Sequence, residues 1–155
     1  MILLKIDIID DEVIIYLYNN INKVDFKDEK SIELFLKKLF IRLYNFYNMK
    51  IEGYYDVDLF FDDFYGVVLI LKKEELDYYC YKEVDMKIRI NHGNFLYLVD
   101  NLNYDKSKFD IIIYLNNIYL LPKGKLDKGE FASLMEFSKI IYDTDEIINR
   151  GRKSC

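Results

Sequence analysis

Residues 109–151 read FDIIIYLNNIYLLPKGKLDKGEFASLMEFSKIIYDTDEIINRG, and this stretch decides the fold class. Two apolar runs flank Asn116-Asn117, and asparagine tolerates the positive φ angles of a tight turn, so the stretch opens as a β-hairpin. It continues as an amphipathic helix, because Phe131, Leu134, Met135, Ser138, Ile141 and Tyr142 recur at spacings of three and four. Asp127 and Glu130 stand three apart before it, as a capping box requires. A short second helix follows, capped by Asp143 or Thr144 and closed by Gly151 in a left-handed position. Nothing in this pattern is an active site; it is the pattern of a packed interaction module.

Working outward, residues 3–9 and 13–18 are β-branched-rich runs around Asp10-Asp11-Glu12 and read as an opening antiparallel hairpin. A polar connection, 19–27, leads to a long helix over 31–48 that Asp28 can cap. Its buried stripe is Ile32, Phe35, Leu36, Leu39, Phe40, Leu43 and Tyr47, while Glu33, Lys37, Lys38 and Arg42 face water. A second hairpin follows over 50–72, and its strand GVVLILKK is apolar enough to be central in a sheet. Residues 78–90 alternate as a strand, Asn91 to Asn94 form a turn, and 95–102 read as one or two helical turns. Strands joined by short turns imply an α+β fold, mainly antiparallel, with helices packed on a sheet face. The halves read ββαββ and βαββα, as an acidic N-terminal half, 1–77, and a C-terminal half, 78–155, separate or merged in one compact domain.

Composition narrows the function. The 155 residues are 52% hydrophobic and include 15 Tyr and 11 Phe, which excludes a disordered chain. The first half carries 10 Lys/Arg against 16 Asp/Glu, a net of −6; the second carries 12 against 11, a net of +1. An overall charge of −5 opposes broad phosphate-backbone binding, so no nucleic-acid partner is expected. No run approaches the roughly 18 apolar residues of a membrane span, and Cys80 and Cys155 set no disulfide framework. A cytoplasmic protein is the expectation.

Catalytic parts are scarce. His92, the sole histidine, stands in a turn-like NHG. No Gly-x-Ser-x-Gly elbow, dinucleotide loop or Walker-type loop occurs, and Lys123-Gly124-Lys125 with Lys128-Gly129 reads as a solvated basic loop. Glu52, Asp56, Asp58 and Asp62 would share one face of an alternating strand, and carboxylates so placed can hold Mg²⁺ or Ca²⁺. The spacing of a calcium loop is missing, and the solvent face of a hairpin explains the same residues. The tyrosines are not interleaved with a basic patch, which leaves packing and interface duty as their role.

Several segments together resemble the MecA family, adaptors that deliver substrates to a Clp-type AAA+ unfoldase. The segments FLYLVDNL, NNIYLL, SLMEFSK and DEIINRGRK follow in the order of that family's C-terminal domain. An N-terminal strand, SIELFLKKLF and GVVLILKK are similar to its N-terminal domain. The family's long acidic linker is replaced by the short stretch 73–77, which would couple the halves rigidly. The resemblance implies a non-enzymatic tether with protein partners and no cofactor. Its candidate contacts are the terminal-helix charges Asp143, Asp145, Glu146 and Arg150, and the hairpin carboxylates Asp56, Asp58 and Asp62. Two alternatives stand beside it. One is an assembly subunit, such as a homodimer through spare strand edges; the other is a divalent-metal-dependent enzyme using Asp56, Asp58 and Asp62.

Overall fold

A computed structural model describes residues 3–18, 27–62, 64–75 and 84–153. Cys80, Cys155, Asp63, most of the 19–27 connection and the start of the 78–90 strand lie outside the described residues. The fold is α+β: three helices and ten strands among the described residues, in two mostly antiparallel five-stranded sheets. The chain divides into one compact unit of Met1–Leu59 with Gly66–Asn91 and another of Phe60–Tyr65 with His92–Cys155.

The first unit holds β1 (Leu3–Ile9), β2 (Glu12–Tyr18), α1 (Glu29–Tyr47), most of β3 (Gly53–Asp62), whose last residues from Phe60 fall in the second unit, β4 (Gly66–Glu74), and β5 (Val84–His92) up to Asn91. Sheet order is β1-β2-β4-β3-β5, so the apolar β4 is central, and β5, which the sequence put in the second half, belongs here. Val67, Val68, Leu69 and Leu71 are buried, as a central strand covered on both faces requires. On β3 the residues alternate: Tyr55, Val57 and Leu59 are buried while Asp56 and Asp58 point to the other face. Asp28 starts α1 by accepting from Lys30 N at 3.3 Å and Ser31 Oγ at 2.9 Å. Asn48 ends it in the left-handed region, φ 51°. The buried stripe is Ile32, Leu36, Leu39, Phe40 and Leu43, each stabilising the fold by about 1.5–3 kcal/mol. Tyr47 is exposed instead of buried, because it lies on the last turn.

The second unit holds β6 (Leu96–Val99), β7 (Phe109–Tyr114), β8 (Asn117–Pro122), α2 (Lys128–Phe137), β9 (Lys139–Ile141), α3 (Asp145–Arg150) and β10 (Arg152–Lys153). Its sheet runs β10-β7-β8-β6-β9. The hairpin turn sits at Leu115-Asn116, φ 48° and 64°, one residue earlier than the sequence indicates, and pairs Tyr114 with Asn117. Within 95–102, Leu96–Val99 form a strand rather than a helical turn, with β6 paired to β8 on one side and β9 on the other, and Leu102 is exposed. Helix α2 opens on the expected capping box, with Glu130 N donating to Asp127 at 2.7 Å and Asp127 N donating to Glu130 at 3.3 Å. It stops at Phe137, short of the sequence stripe, because Ser138 turns extended (φ −131°, ψ 163°) and 139–141 become β9.

Both faces of this sheet are covered. On one, Tyr97, Val99, Phe109, Ile111 and Leu120 pack with Leu134 of α2. On the other, Leu96, Ile112 and Tyr119 pack with Ile147 of α3. The hairpin-tip residues Phe64 and Tyr65 complete the aromatic packing of this unit, with Phe64 5.6 Å from Phe131 and Tyr65 5.6 Å from Phe95 between ring centroids. No helix among the described residues is long and apolar enough to cross a membrane.

Candidate functional site

The hairpin carboxylates are separated by their partners. Asp58 receives both Nε (2.8 Å) and Nη2 (3.2 Å) of Arg89, a two-point pair that also raises the guanidinium's proton affinity. Asp56 hydrogen-bonds Glu74, and that contact with its repulsion pushes the Glu74 carboxyl above its ordinary value. Asp62 is only 6% exposed and accepts from Tyr65 N at 2.9 Å, so it shapes the hairpin turn. Glu52 pairs with Lys50 at 2.9 Å. Although Asp56 and Asp58 do share a face, no group of three metal-ligating side chains comes together among the described residues.

Of the terminal-helix set, Glu146 and Arg150 are paired, and Asp143 precedes α3. Asp143, Asp145, Glu146 and Arg150 are all exposed, with Arg150 Nη1 3.6 Å from Glu146. Beneath them the helix is well held. The Thr144 hydroxyl, at the cap position, donates to the Asn94 carbonyl at 2.6 Å instead of capping the helix. Tyr114 hydrogen-bonds Glu146, which raises the phenol's pKa. Gly151 is not left-handed (φ −69°, ψ 154°). Its glycine is needed for room: a Cβ there would overlap Ile112 Cγ2 and the Ile147 carbonyl. The outcome is a short, anchored helix with its carboxylates turned outward.

The basic loop is internally engaged. Lys123 Nζ donates to the Lys106 carbonyl at 2.8 Å and lies 3.6 Å from Asp110, while Lys128 and Gly129 belong to the first turn of α2. His92 ends β5.

Two features go beyond what the sequence reading singles out. An open cleft of about 330 Å³ in the second unit is lined by Asp100, Asn101, Asn103, Tyr104, Ser133 and Phe137. It is assembled from the loop after β6 and the α2 face, which are distant in sequence. The other is the outward side of α1, where Leu34, Ile41 and Tyr44 are exposed among lysines. A wheel centred on the buried stripe shows only the inward half of this helix, so its second, narrower apolar line escapes notice.

No protein-family model, curated protein or solved structure matches the chain.

Proposed function

We propose that the chain is a protein-interaction module acting without chemistry of its own, and in its sharper form a cytoplasmic adaptor tethering a substrate protein to a Clp-type AAA+ unfoldase. One observation supports this reading above others: α3 is anchored by Thr144, Gly151 and the partly covered Ile147, yet it turns Asp143, Asp145 and Glu146 to solvent. A rigid charged corner loses little freedom on docking, which favours recognition over catalysis. Tethering then acts by raising the local concentration of substrate at the motor.

Affinity purification of the tagged full-length chain from its host, followed by mass spectrometry, tests the sharper form. An AAA+ ATPase is the expected prey, depleted when Asp145→Lys and Glu146→Lys are combined. Recovery of no ATPase overturns it.

A homo-oligomeric assembly subunit is the second reading, and β1 supports it. This strand lies at an edge of the first sheet, and Ile8 and Ile9 at its end are exposed. Light scattering separates the two: a dimer mass lost in Ile9→Lys supports assembly, and a monomer mass rejects it. The metal-dependent reading gains no support from carboxylates tied to Arg89, Glu74 and Tyr65.

A further inference from the structure

Helix α1 has two sides with different tasks. Its inward stripe from Ile32 to Leu43 builds the core. Leu34 and Ile41 lie on the opposite side, 55% and 61% exposed, with Tyr44, 53% exposed, three residues further on. A spacing of seven followed by three is the a–d seam that one helix offers another. Lys37 and Lys38 lie within this seam, and Lys30 and Arg42 extend its charge. The only carboxylates of the helix, Glu29 and Glu33, fall in its first part, so from Lys37 to Tyr47 the exposed surface carries cations and no acid. That is a local reversal of sign in a chain of net charge −5.

We propose that this face of α1 docks an acidic amphipathic helix of a partner protein. Leu34, Ile41 and Tyr44 receive the partner's apolar seam, and Lys37, Lys38 and Arg42 meet the carboxylates beside it. Charge complementarity selects the partner and orients it. An anionic lipid surface fits less well, since the exposed apolar residues of α1, Leu34, Ile41, Tyr44, Phe46 and Tyr47, are spread around the helix and broken by lysines instead of forming one broad wedge. A second copy of the same α1 face fits less well, because an antiparallel pairing about the middle of this line brings Lys37 and Lys38 against their own counterparts. Helix α3 of a second copy is acidic, but its six residues span about 9 Å, whereas the line from Leu34 to Tyr44 is about 15 Å long. The inference rests on the interaction reading while using a different surface from α3.

The test uses the full-length protein and a fluorescein-labelled synthetic helix of about three heptads, Leu at a and d and Glu at e and g, kept below its own self-association. Fluorescence anisotropy should show saturable binding of this peptide and none of a version with Lys at e and g. Ile41→Asp, and separately Lys37→Glu with Lys38→Glu, should each weaken binding about tenfold or more. Both alter solvent-facing positions, and unchanged circular dichroism melts confirm folding. The α3 variant Asp145→Lys/Glu146→Lys should bind the peptide normally, so failure of the adaptor anchor and failure of this face give different results. Absence of saturable binding overturns the proposal, as does binding indifferent to the Ile41 and lysine changes. Phosphatidylglycerol vesicles bound through those same residues would overturn it in favour of a lipid surface.

Discussion

Asp58 and Arg89, on neighbouring strands β3 and β5, form a two-point ion pair, with Arg89 Nε and Nη2 at 2.8 and 3.2 Å from the two carboxylate oxygens. The pair accounts for the one carboxylate on which a metal reading most depends. Arg89 supplies the positive charge a cation would otherwise bring, and it occupies both oxygens. Addition of Mg²⁺, Mn²⁺ or Ca²⁺ should therefore leave the melting temperature unchanged, and Asp58→Asn should lower it only slightly, as loss of a surface pair does. A cation-dependent rise in Tm that Asp58→Asn abolishes would restore the metal site.

Asp56 and Glu74 lead to a pH dependence. The Glu74 carboxyl has its pKa raised in the folded state, chiefly by the hydrogen bond to Asp56. The folded chain thus holds a proton that the unfolded chain releases, over the window between the ordinary glutamate value and the raised one. The stabilisation is complete below that ordinary value and is lost as pH rises through the folded pKa. Glu74→Gln should flatten the decline in urea midpoint over this window and match or exceed wild type at neutral pH. An unaltered slope would show that the two carboxyls do not share the proton.

Gly151→Ala should be destabilising although the backbone there is ordinary. The new methyl meets Ile112 on β7 and the Ile147 carbonyl of α3. Overpacking of this kind costs about 1–3 kcal/mol, readable in chemical denaturation. A neutral result would mean that α3 shifts outward without penalty.

Thr144→Val keeps the shape of a buried side chain and removes its hydroxyl from the Asn94 carbonyl. The expected loss is about 1 kcal/mol, with Thr144→Ser retaining most of the wild-type stability. Hydrogen exchange should quicken in α3 before it does in β7 and β8.

Much of the local structure was legible because it is written in nearest neighbours. Asp28 announces α1, Asp127 and Glu130 announce α2, and the unbroken apolar run of β4 marks a central strand. The errors fall where tertiary pairing decides. Phe95 and Leu98 are spaced as a helix would space them, yet β8 and β9 recruit this segment as a strand with both faces covered. Ile141 continues the helical stripe of α2 equally well, and pairing with Leu96 makes it a strand residue instead. Gly151 was the right residue for a different reason, since its requirement comes from Ile112, 39 positions earlier in the chain. The exposure of Asp145, Glu146 and Arg150 on α3 follows from their charge, whereas the shared face of Asp56 and Asp58 was legible from strand periodicity. Periodicity carried no trace of Arg89, Glu74 or Asn94 as their neighbours, because contacts across a sheet or from a distant loop have no period.

The assignment of Phe60–Tyr65 to the second unit, with the strand residues on either side of it in the first, bears on how this protein can be inherited. No single cut of the chain yields both units whole. A gene fragment encoding 92–155 would lack Phe64 and Tyr65, leaving Phe95 and Phe131 without two of their ring neighbours. Recombination could not exchange either unit as a cassette. The two surfaces proposed here, on α1 and α3, would then be gained or lost together when this chain is cut and rejoined.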